Sequence, residues 1–439
     1  MLLWSIPLLM VEFTMGKKTR RGPIGAFSQF VGKNYTWMGA FVGICTMAIM
    51  FYYSVVTGWA LKYFLASVSG ALQNPAVDHT AYWHSFTSSV YQPVLLHLFS
   101  LGVAAFIIYQ GIVKGIERAN RILLPSLLVL LIIGVIRALT LPNALAGLNY
   151  FFGIKAASFL NFRVWLEALS QSAWSTGAGW GLVLTYSVYM SEKEDVTLNA
   201  FITGFGNNSA SLLAGLAIVP TIFSLMPSAA EATKALQAGN QGLSFIVIPQ
   251  LFSQMPGGWI FSSVFFLALF FAALSSLIAM LELATRIFMD FGLRRHHALL
   301  AVAGISALMG IPSAVSMKFF NNQDWVWGLG LIISGSFFLF AVLKYGVRKF
   351  RLNLLNVASS DLHIGPWFDL TMRYLIPLEA VAILGWWLYQ TLSWYPKTWW
   401  KPFGETNMGT CLFQWGVLIA LLLLFNGYLH YKLKPEGAK

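Results

Sequence analysis

The chain has 439 residues, 57% of them hydrophobic and 10% charged, with a formal net charge of +12. A soluble domain carries roughly a quarter charged residues, and a larger soluble core does not explain the shortfall, because such cores stop growing and chains divide into domains. A bilayer as solvent explains it, and the basic residues, set in short clusters between apolar runs, read as topology signals rather than as a nucleic-acid surface.

Apolar runs fall at roughly 1–15, 36–66, 93–113, 121–141, 164–190, 197–225, 258–289, 297–317, 325–346, 367–392 and 411–431. They make about eleven spanning segments of one transmembrane domain. The first run, MLLWSIPLLMVEFTM, has neither the basic start nor the cleavage site of a signal peptide. It reads as the second half of a helix whose beginning is absent. Basic loops around Lys17–Arg21, Lys114–Arg121, Lys193, Arg294–Arg295, Lys344–Arg351 and Lys432–Lys439 alternate with sparse ones. The basic set is expected to face the cytoplasm, with the C-terminus on the same side.

In the second run, Tyr52 and Tyr53 stand in MFYYSVV. Arg137 falls near the outer end of its run, where a long side chain snorkels to the interface. The run 164–190 is interrupted by Gly177, Gly179 and Gly181, just after Ser175 and Thr176. Three glycines in five residues loosen a helix. Broken helices at membrane depth line a cavity or bind an ion; close packing through small residues is the competing explanation. Trp174 and Trp180 would wall such a cavity.

Asn207 and Ser211 lie four apart and share a helix face. The loop 226–257 contains LSFIVIPQLF and suits either a re-entrant cap over a vestibule or a loop packed outside. Ser275 and Ser276 sit in FFAALSSLIAM. Together these segments supply neutral oxygens on several helices, the ligands hard cations prefer. Glu12, Glu282, Arg286 and Asp290 are charges within or beside apolar runs, and such groups are functional candidates by default. Arg286 and Asp290 have the spacing of an intrahelical pair.

No phosphate-binding loop, paired-histidine zinc helix or nucleophile elbow is present in the sequence, so an enzyme is not expected. His296 and His297 belong to a basic loop. Cys45 and Cys411 supply neither a disulfide framework nor metal-ligand spacing. The lack of a disulfide framework and of a glycosylation sequon in any outer loop favours a bacterial inner membrane.

The broken span with Gln171, Trp174, Ser175, Gly177 and Trp180, the Asn207 segment and FFAALSSLIAMLELATRIFMDFG resemble the neurotransmitter:sodium symporter family. The likeness is to its bacterial, leucine-transporter-like members, and MLLWSIPLLMVEFTMGKK resembles the end of their second helix. The resemblance implies an all-α inverted-repeat bundle lacking the first helix and half of the second. It implies sodium sites at Ser175 with Asn207, and at the Ala272 carbonyl with Ser275 and Ser276. The substrate pocket would use Ile49, Tyr53, Trp174, Ser175, Gly177, Trp180, Ser276 and Met280, with Trp174 as an outer lid. Tyr189 and Asp290 match inner gate positions, and Asp324 an outer gate acid. Gln171, Ser175 and Ser211 would form a chloride site, because two sodium ions in a low-dielectric site call for compensating negative charge.

The expected function is sodium-driven symport of a neutral, hydrophobic amino acid by alternating access. The expected partners are that solute, the bilayer and, as an open option, a second copy of the chain. Without the first helix the chain as written is expected to have half-built sites and weak transport. A non-transporting sensor or assembly subunit is the alternative. A nucleic-acid partner is not expected.

Overall fold

The structure is a computed structural model that describes residues 1–74, 77–358 and 360–433; Lys434 and Lys439 of the last basic cluster lie outside the described residues. Its regular structure is entirely helical among the described residues. The principal helices are α1 (Ser5–Thr19), α2 (Pro23–Phe30), α3 (Thr36–Val68), α4 (His79–Ser88), α5 (Tyr91–Tyr109) and α6 (Arg118–Leu139). There follow α7 (Ala144–Phe152), α8 (Phe162–Ser175), α9 (Leu182–Ser187), α10 (Val196–Leu225), α11 (Ala229–Leu236) and α12 (Ile248–Ser253). The last six are α13 (Gly258–Asp290), α14 (Arg295–Val315), α15 (Met317–Tyr345), α16 (Ile376–Trp394), α17 (Met408–Leu424) and α18 (Asn426–Lys432).

Among the described residues, eight helices are long and apolar enough to cross a bilayer, and the pair α17–α18, bent by 59°, is a ninth. With the short helix α1 and the interrupted pair α8–α9, these account for the eleven expected segments. The half-helix expected at 1–15 folds as α1, of 15 residues, and the glycine-interrupted run 164–190 as two pieces, α8 and α9, of 14 and 6 residues. At about 1.5 Å per residue none of these pieces crosses a hydrocarbon layer of about 30 Å alone.

Local chemistry starts several helices. The Asp195 carboxylate accepts from Leu198 N at 3.0 Å and caps α10. Ser316 and Asn407 cap α15 and α17 in the same way. Each cap satisfies an amide that has no partner within its helix.

The long helices α3 and α13 form the central pair. Ser67 and Ser262 share a hydrogen bond of 2.7 Å at one end. At the other, Gly43 admits Ile287, whose Cδ1 lies 2.4 Å from where a Cβ would be. Contact at both ends fixes the two helices as antiparallel neighbours over more than six turns. Helix α1 approaches α9 as closely: a Cβ at Gly16 would fall 2.0 Å from Ser187 Oγ and 2.1 Å from the Leu184 carbonyl. Glycine is required there because two backbones meet.

Candidate functional site: a broken helix beside an oxygen-lined cavity

The stretch between α8 and α9 leaves the helical path at three glycines. Gly177, Gly179 and Gly181 have φ of +66°, +89° and +79°, the left-handed region that a side chain disfavours. Gly179 also packs against α15, where a Cβ would meet Gly335 Cα at 2.7 Å.

A break within apolar surroundings frees amides that need partners. Glu12 of α1 supplies them. This fully buried carboxylate accepts from Gly179 N at 2.6 Å and from Leu184 N at 3.2 Å. It therefore caps the N-terminus of α9 and neutralises its positive dipole end. Thr46 of α3 donates to the Trp180 carbonyl at 2.6 Å. Neither role was legible in the sequence. Glu12 at least gave a signal, a carboxylate in an apolar run, whereas Thr46 gave none.

The break faces a cavity of about 1280 Å³. Tyr53, Gln171, Trp174, Ser175, Gly177, Trp180, Ser275, Ser276, Met280 and Asp324 all stand on its wall. Trp174 and Trp180 meet edge to face, with centroids 5.3 Å apart. Gly328 on α15 makes room for the Trp174 ring, since a Cβ there would lie 2.7 Å from it. Ile49, also expected there, is fully buried and does not line the cavity.

The expected oxygen clusters are drawn together. Asn207 Nδ2 donates to Ser175 Oγ at 2.9 Å. The Ala272 carbonyl accepts from Ser275 at 2.9 Å and from Ser276 at 3.2 Å, and Tyr53 hydrogen-bonds Ser276. Ser211 instead donates to the Asn207 carbonyl one turn back, at 3.0 Å, and both Ser211 and Gln171 are exposed. Among the described residues, Glu167 and Asp324 place two carboxyl groups on the cavity wall, and no lysine, arginine or histidine reaches it. The wall suits cations.

Tyr189 and Asp290 both lie at the end of α13 remote from Asp324, but in separate networks. The Tyr189 hydroxyl donates to Glu282 Oε1 at 2.8 Å. Arg295 grips the same carboxylate with two bonds, of 2.8 and 2.6 Å. Asp290 pairs with Arg286 at 3.2 Å, as its spacing predicts, and accepts from Gly22 N at 2.7 Å. Arg286 also donates to the Arg20 carbonyl at 2.6 Å, while Arg20 donates to the carbonyls of Val188 and Met190. Arg295 was hidden in a basic loop and carried no sign of this partner.

The segment 226–257 folds as short helical pieces, of which Ala232, Ala235 and Leu251 pack against Val219, Ile222 and Phe223 of α10 while four residues reach the cavity. Asn240, Gln241, Ser244 and Phe245 face the cavity. Phe245 stacks on Trp83 of α4 at 4.9 Å and packs against Trp59, Tyr63 and Phe266.

The sequence profile of the sodium:neurotransmitter symporter family matches residues 1–91 and 84–433. The chain belongs to that family. It is 30% identical over 397 residues to an uncharacterized sodium-dependent transporter of Methanocaldococcus jannaschii, covering 87% of this chain and 80% of the relative. A second uncharacterized sodium-dependent transporter, from Bacillus subtilis, is 27% identical over 401 residues, covering 87% and 86%. The crystal structure of MhsT in complex with L-phenylalanine superposes with a TM-score of 0.75 at 28% identity, covering 87% of this chain and 88% of that one. The symporter is thus a multi-pass membrane protein with the fold of sodium-coupled transporters, which are not enzymes.

Proposed function

We propose that this symporter couples sodium entry to uptake of a neutral, hydrophobic amino acid by alternating access. The observation that carries the reading is the glycine break at Thr176–Gly181, which faces the same cavity as Ser276 and Tyr53. Peptide groups released from helical pairing, set against hydroxyls in a cavity whose described wall carries no lysine, arginine or histidine, are what a cation and an amino-acid ligand require. One sodium ion would bind at Ser175 and Asn207, a second at the Ala272 carbonyl with Ser275 and Ser276. Trp174, Trp180 and Met280 favour an apolar side chain, and MhsT, a structural relative, binds L-phenylalanine.

Each sodium ion that crosses adds about 2.3 kcal/mol per 100 mV of membrane potential. Trp174 closes over the solute from one side. The Asp290 and Tyr189 networks hold the opposite end. The basic loops and the C-terminus would face the cytoplasm of a bacterial inner membrane. Gln171, Ser175 and Ser211 would bind chloride, and replacing chloride by gluconate tests this: unchanged uptake rules the anion out. The homodimer is tested by the oligomeric mass in detergent.

The central test is uptake of tritiated leucine, tryptophan and glycine into proteoliposomes, with sodium or choline outside. Sodium-dependent, saturable uptake of leucine or tryptophan over glycine is expected. Equal uptake in choline overturns the coupling, and preference for glycine overturns the substrate class.

A further inference from the structure

A second, separate crevice lies against α13, lined by residues other than those of the large cavity. Helices α6, α10, α12 and α13 enclose it, and Leu130, Gly134, Ala217, Ile222, Phe252 and Phe265 are among its walls. Its free volume is about 50 Å³, several times what one water needs, yet apolar cavities of this kind stay dry. It is narrow and takes the end of one hydrocarbon chain. Its outward neighbours Ile133 and Ile136 on α6 and Ile260 on α13 are exposed apolar residues on the lipid-facing surface, so a chain can enter from the bilayer.

Arg137 closes the crevice at the end of α6 away from the Lys114–Arg121 cluster. Its guanidinium lies 5.2 Å from the Phe261 ring centroid, and one Nη donates to Thr140 at 3.4 Å. Its Nε is buried with no hydrogen-bond partner. Among the described residues no carboxylate pairs with it. An arginine that only snorkels keeps its whole guanidinium in the headgroup layer. This one is partly withdrawn from water and offers unused donors at the mouth of an apolar slot. That combination of a hydrocarbon-sized slot and an uncompensated, planar cation fits an anionic amphiphile.

We propose that the crevice holds an acyl chain of an anionic phospholipid, with the headgroup phosphate seated on Arg137. The bilayer supplies such a ligand at high local concentration, which favours it over a free fatty acid. Because the site touches both the segment 226–257, through α12, and α13, its occupant is placed to bias that segment's position.

The test uses the full chain in nanodiscs of equal phosphatidylglycerol and phosphatidylcholine, with retained lipid read by native mass spectrometry. Wild-type protein is expected to retain phosphatidylglycerol about tenfold over phosphatidylcholine, the scale of one charge-assisted contact. R137Q should bring the ratio to about one, and R137K should keep part of the preference. Gly134→Leu, whose side chain fills the slot beside Ala217, should lose both lipids. Near-equal retention by wild type, or an unchanged ratio in R137Q, overturns the proposal. Should R137Q lose its thermal unfolding transition, Gly134→Leu decides, and surviving phosphatidylglycerol there overturns it. Added oleate that displaces phosphatidylglycerol at equal concentration and is itself retained also overturns it, since the occupant is then a free fatty acid.

Discussion

The two ends of the bundle are held by different chemistry. At the Asp290 end, buried carboxylates are gripped by arginines: Glu282 by Arg295, and Asp290 by Arg286. At the Asp324 end the contacts are side-chain amide hydrogen bonds and aromatic rings, with no ion pair among the described residues. Asn321 bonds Glu405 at 2.9 Å and accepts from Gln241 at 3.3 Å. Asn322 donates to the Gly404 and Glu405 carbonyls, both at 2.9 Å, and Phe245 sits among tryptophans. Removing one partner of a buried ion pair strands a charge, whereas losing one neutral hydrogen bond costs far less. The charged end is therefore the harder one to open in steps, and the amide-and-aromatic end the softer.

Arg295→Ala should break this contrast most strongly. It leaves Glu282, which is fully buried, without its cation, and a loss of about 3–5 kcal/mol is expected. Thermal unfolding in detergent checks it, and E282Q combined with R295A should recover part of the loss. Glu12→Ala comes next: Gly179 N and Leu184 N lose their acceptor, at a cost of about 1–3 kcal/mol. Because those amides fix the break, substrate binding measured by scintillation proximity should fall along with the melting temperature. A normal affinity in this variant would show that the cap is not coupled to the site.

Asn321→Ala at the softer end should cost about 1 kcal/mol. Hydrogen exchange should show segment 239–253 opening more readily than 182–190, and the variant should widen the gap. The smallest effect is a pH dependence. His79, at the start of α4 outside the spanning helices, is buried with both ring nitrogens unpaired, and burial lowers its pKa from the usual 6.5. The unfolded chain then binds the proton more readily than the folded one. Stability is full above about pH 6.5 and erodes as pH falls below it. His79→Phe should flatten that part of the melting-temperature profile.

The sequence by itself determined the bilayer environment and the long spanning helices, because hydropathy and length are local properties; it flagged Gly177–Gly181 as a candidate break, and the structure decided it through the left-handed φ of those glycines. The sequence also determined pairs set by helical spacing, such as Arg286 with Asp290. It also marked the run 1–15 as too short to span and the run 164–190 as interrupted, as α1 and the pair α8–α9 are. Only the tertiary structure decided that Glu12 meets Gly179 from 167 positions away and that Arg295 reaches Glu282. It also decided that Ile49 is buried off the cavity wall, and that Asn240, Gln241, Ser244 and Phe245 stand on it. Those contacts join separate elements, and a chain's own periodicity carries no information about which distant amide or charge will satisfy a buried group.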